Sequence, residues 1–143
     1  MTTPAGHSIT GAGLAVLFGV NPILGILAAN LPDFFGHGEN YRWGHSILVE
    51  GTIGLVCALT FQNYAWMVII LSHLFLDCCY VTGGLGCLWP FSNNLVSIFR
   101  VFYLMDSGDI FGSQSMKAYM REIIVLGSLF AVLVLIRRFL WPT

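Results

Sequence analysis

The chain has 143 residues, of which 57% are hydrophobic and only 9% charged, with 6 Lys plus Arg, 7 Asp plus Glu and a net charge of −1. So few basic groups cannot form the counterion-displacing surface that nucleic acids require, and no nucleic-acid partner is expected. An ordinary soluble domain carries about 25% charged residues; with a mean hydropathy of +0.80, this composition predicts an all-α integral membrane bundle. Residues 1–143 would form a single transmembrane helical domain with membrane lipids as partners.

The bundle is expected to hold three to five embedded helices, because a span needs about 20 apolar residues. The first apolar stretch, Ser8 to Leu31, is interrupted at Asn21-Pro22. Proline removes a backbone donor and disfavours helix at the residue before it. This segment reads either as a re-entrant hairpin of helices 8–20 and 22–31 or as one kinked span, and periodicity does not separate the two. A polar loop, Pro32 to Gly44, precedes helices at about 45–61 and 64–80. Their connection, Gln62-Asn63, is short enough to make an antiparallel pair. A Gly-rich loop covers 81–94, and the short stretch 95–105 reads as an interfacial segment. A polar loop follows from Asp106. The last helix, about 118–140, is the cleanest candidate span. It ends in Arg137-Arg138 with Trp141 as an interfacial anchor, a role also expected of Trp43, Trp66 and Trp89.

The four cysteines, Cys57, Cys78, Cys79 and Cys87, show no regular spacing and are expected to be free, packed thiols. The N-terminus lacks a basic region ahead of its apolar run, so no cleavable signal peptide is expected.

Ionisable residues within apolar helices are costly and need a partner or a task. His73 and Asp77 stand four apart and share one helical face. His45 opens the preceding helix, so an antiparallel pair returns His73 and Asp77 to its level. Asp33 lies one short loop before His45, and a hairpin at Asn21-Pro22 would bring His7 to the same end. Three imidazoles and two carboxylates, His7, Asp33, His45, His73 and Asp77, then gather at one end of the bundle. That donor set suits a divalent metal, zinc first and manganese or iron behind it. Glu50, five residues beyond His45, is placed outside the ligand set. His37 and Glu39 are expected to be solvated.

Several short motifs recur in a known order: Gly6-His7, Leu31-Pro32-Asp33, Arg42 to His45-Ser46, Ser72-His73-Leu74-Phe75-Leu76-Asp77 and Leu88-Trp89-Pro90-Phe91-Ser92. In this order they resemble the YdjM-like inner-membrane family, described as membrane-bound metal-dependent hydrolases. The resemblance covers residues 5–92 and implies a multi-pass protein of the inner (cytoplasmic) membrane with a histidine and aspartate metal site. It carries over to His7, Asp33, His45, His73 and Asp77. Phe35 stands where the family often has a second acid, and Tyr80-Val81 where it usually has Thr-Pro. The missing acid argues against a two-metal site.

The leading functional expectation is a membrane-embedded metal-dependent hydrolase acting on phospholipid or another phosphoester. The histidines would be ligands, with one of Asp33 and Asp77 completing the sphere and the other acting as base. The alternative is a non-catalytic membrane protein whose metal or polar cluster is structural and serves a partner or a stress response. An ion conductor is disfavoured, because the polar groups gather at one face. Counting Lys and Arg near the loops orients the site toward the cytoplasmic leaflet.

Overall fold

A computed structural model describes residues 4–35, 41–80, 86–92 and 113–140. Its helices are α1 (Pro4–Phe18), α2 (Pro22–Phe35), the single turn α3 (Tyr41–Gly44), α4 (Ile47–Thr60), α5 (Ala65–Tyr80) and α6 (Ser113–Leu140). The described residues contain no strand. The expected segment 95–105, the expected polar loop from Asp106 as far as residue 112, His37, Glu39 and Trp141 lie outside them, while the end of that loop, Ser113 to Ser115, belongs to α6.

The first apolar stretch folds as a hairpin of two helices. Gly19 takes a positive φ of 72°. This lets its N–H reach Val16 O at 3.2 Å and the Val20 N–H reach Ala15 O at 2.7 Å, which closes the end of α1. Arg137 of α6 also donates to Val16 O. Asn21 then starts α2, its Oδ1 accepting from Ile23 N at 2.9 Å, with Pro22 at the first helical position where no N–H is needed. α2 runs on through Pro32 to Phe35, so Asp33 sits in its last turn and not in the expected loop. Pro32 is tolerated in that final turn.

The α1–α2 contact is close because small residues face each other. A Cβ added at Gly25 would lie 2.5 Å from both Ala15 Cβ and Gly11 O. Gly25→Ala is therefore expected to cost about 2 kcal/mol or more, since helix backbones cannot yield as a flexible side chain would. Chemical denaturation would show it as a lowered midpoint at unchanged slope.

α4 and α5 form the expected antiparallel pair, joined through Gln62 at a φ of 51°. Ser46 caps α4: its Oγ accepts from Val49 N at 3.3 Å and donates to Trp43 O at 2.9 Å. Ser46 is fully buried, so Ser46→Ala should lower stability by about 1–2 kcal/mol in the same assay. The turn 86–92 docks on this corner through Ile47 N, which donates to Cys87 O at 2.9 Å.

The expectation of an integral membrane bundle is overturned, because among the described residues no helix is long and apolar enough to cross a membrane. α1, α2, α4 and α5 have 15, 14, 14 and 16 residues. At 1.5 Å per residue they reach about 21–24 Å, short of the ~30 Å hydrocarbon layer. α6 has 28 residues, but its sequence includes Lys117, Arg121, Glu122, Arg137 and Arg138. The C-terminal span at 118–140, the multi-pass inner-membrane location and the orientation toward a leaflet fall with it. Trp66, expected as an interfacial anchor, is a buried core residue whose ring lies 5.2 Å from that of Phe61. Many large apolar side chains face outward instead, among them Ile23, Leu27, Leu55, Leu59, Leu135 and Phe139.

Candidate metal centre

Each helix end delivers one part of the site. α1 carries His7 in its first turn, and the hairpin returns α2 so that Asp33 ends beside it. His45 stands in the bend between α3 and α4. α5 presents His73 and Asp77 from one face, one turn apart. His7, His45, His73 and Asp77 are 0–1% exposed, and the Asp33 side chain alone of the five reaches the surface, at 22%.

All three Nε2 atoms turn toward carboxylate oxygens. His7 Nε2 lies 3.3 Å from Asp77 Oδ1. His45 Nε2 lies 3.2 Å from Asp33 Oδ1 and 3.6 Å from Asp77 Oδ2. His73 Nε2 lies 3.6 Å from Asp33 Oδ1 and 3.8 Å from Asp77 Oδ2. The His7 and His73 rings stack with centroids 3.8 Å apart, and the His45 ring is 5.0 Å from that of His73. Two triads, His7–Asp33–His73 and His45–His73–Asp77, each hold their ligand atoms within 4.8 Å of one another. Donors about 2.0–2.2 Å from a common ion stand roughly 3.0–3.6 Å apart, so these spacings suit a shared cation. The His and Asp side chains could thus hold a metal ion.

His73 defines the electrostatics. Its Nδ1–H donates to the Ala29 carbonyl at 2.8 Å. A carbonyl only accepts, so this bond assigns the proton to Nδ1 and leaves the Nε2 lone pair directed at the two aspartates. Burial, followed by the charge of His7, pulls the His73 pKa down to about 4, against the opposing pull of Asp77, Asp33 and the Ala29 bond. The buried Nε2 has no hydrogen-bond partner. For Asp33, burial opposes ionisation, yet the His45 hydrogen bond and the charges of His73 and His7 bring its carboxyl below the ordinary value.

Glu50 is the residue that sequence reasoning set aside. Its side chain is fully buried in α4. Burial, then the charge of Asp77, pushes its carboxyl up to about 9, against a backbone hydrogen bond at Leu74 and with a smaller push from Asp33. Burial and the Asp77 charge both favour the protonated form of the carboxyl. The available signal was a lone acid inside the apolar run Ile47-Leu48-Val49-Glu50-Gly51. Thr10, one turn after His7, is likewise buried with an unpartnered hydroxyl. The Ala29 carbonyl left no trace in side-chain chemistry. All four cysteines are free.

No family model matches this chain, and no curated protein or solved structure is similar enough to count as a match.

Proposed function

We propose that the chain is a metal-dependent hydrolase of phosphoesters, with zinc as the preferred ion. The observation that carries this reading is His73 Nε2, a buried lone pair without a hydrogen bond, facing two carboxylates at 3.6 and 3.8 Å. Such an arrangement is repulsive unless a cation lies among the donors.

His45, His73 and Asp77, all fully buried, are the residues assigned to hold the ion. His7 fixes Asp77 by approaching its Oδ1 at 3.3 Å. A divalent ion held by these residues would supply Lewis acidity for the attack of water on a phosphoester. Asp33 serves as general base, because it is the acid of the cluster whose side chain reaches the surface. The ordered motifs that resemble the YdjM-like family support the same reaction class.

The near-complete burial of the cluster favours a second reading, in which the ion is structural and braces the meeting point of α1, α2, α4 and α5. Hydrolysis of bis(p-nitrophenyl) phosphate by the purified, zinc-loaded protein separates the two. The enzyme reading expects turnover that is abolished by chelation and reduced at least 100-fold in Asp33→Asn, with zinc still bound to the variant. Zinc binding without turnover on this or other phosphoesters would support the structural reading instead.

A further inference from the structure

Cys78 and Cys87 bring their sulfurs to 2.9 Å in the folded chain, less than 1 Å beyond the length of an S–S bond. Both residues are buried, at 4% and 8% exposure. Cys78 directly follows Asp77 in the last turn of α5, and Cys87 belongs to the turn 86–92. That turn is pinned to the start of α4, because Cys87 O accepts from Ile47 N at 2.9 Å. The same corner of the fold carries His45 and Ser46. The two other cysteines, Cys57 and Cys79, are partly exposed.

We propose that Cys78 and Cys87 form a redox-responsive disulfide that clips the end of α5 to the turn seating α4. The oxidant is a low-molecular-weight disulfide. One protein thiolate attacks it, releases one small thiol and leaves a mixed disulfide on the protein. The second protein thiolate then displaces the other small thiol and closes the Cys78–Cys87 bond. Each protein sulfur is oxidised by one electron, the two protons leave with the two small thiols, and the small disulfide is reduced. Burial keeps the pair from bulk reagents, so closure follows local opening of the 86–92 turn and is slow. Once formed, the bond closes a short loop and restrains the unfolded chain.

The test uses the full-length protein and its Cys57→Ser/Cys79→Ser variant, which retains only the proposed pair. Each is incubated with excess oxidised glutathione until its thiol count is constant, then alkylated and mapped by mass spectrometry. The variant is expected to go from two thiols to none, and wild type to yield a Cys78–Cys87 cross-linked peptide. The oxidised variant should also melt about 5 °C or more above its reduced form, with the gain reversed by dithiothreitol. Two thiols persisting in the variant, or a cross-link that is intermolecular or joins Cys78 to Cys79 in wild type, would overturn the proposal. The measurement needs no metal, so its result is independent of the hydrolase reading.

Discussion

Asp77→Ala is expected to abolish stoichiometric zinc binding, lowering affinity by more than the 10- to 100-fold lost when only a supporting group around a metal ligand is removed. Asp77 is the hub of the cluster: Oδ1 meets His7, and Oδ2 meets both His45 and His73. Without it, three imidazoles face one remaining carboxylate, and that carboxylate is the partly exposed Asp33. Isothermal titration with zinc on wild type and variant reads the difference directly. Asp77→Asn keeps the shape of the side chain while removing its charge, so it separates lost ligation from lost packing. Equal zinc affinity in wild type and Asp77→Asn would remove Asp77 from the site.

Glu50→Gln is expected to stabilise the metal-free protein by on the order of 3 kcal/mol at pH 7. The wild-type carboxyl has a folded pKa of about 9 against an ordinary value of 4.5. Between those values the unfolded chain releases a proton that the folded chain keeps, so wild-type stability falls as pH rises from about 4.5 toward 9. Glutamine has no proton to lose, and its gain should vanish below pH 4.5. His73 acts in the opposite sense. Its folded pKa of about 4 lies below the ordinary 6.5, so its stability contribution is complete above pH 6.5 and is lost as pH falls toward 4. The metal-free wild type should therefore be most stable near pH 5–6.5 and decline on the alkaline side. Glu50→Gln should flatten that decline. Urea denaturation across this pH range measures both limbs, and an unchanged alkaline limb in the variant would exclude Glu50 as its cause.

Much of the site was legible because helical geometry is local. The four-residue spacing of His73 and Asp77 fixes their common face, and the short Gln62-Asn63 link returns them to the level of His45. The Asn21-Pro22 interruption offered a hairpin or a kink. The hairpin follows from Gly19, whose positive φ closes α1, and from Asn21, which caps α2. Neither the depth of Glu50 nor the Ala29 carbonyl that orients His73 could be read this way, because both depend on how neighbouring helices are rotated.

The membrane expectation failed for a different reason. Composition counts apolar residues without regard to the length of the helices they occupy. Here Gly19, Pro22 and the α4–α5 turn cut the apolar sequence into helices of 14–16 residues. Reading Pro32 as the start of a loop also shortened α2, since proline in a last helical turn need not end the helix at once. Carrying α2 through to Phe35 is what places Asp33 against His45.

Zinc K-edge X-ray absorption on the zinc-loaded wild-type protein tests the central claim most directly. A cation held by His45, His73 and Asp77 predicts a first shell of nitrogen and oxygen alone at about 2.0–2.1 Å, with the outer-shell scattering of imidazole rings. A sulfur contribution near 2.3 Å would assign the ion to cysteines instead. A protein that retains no zinc after desalting would contradict the metal centre itself.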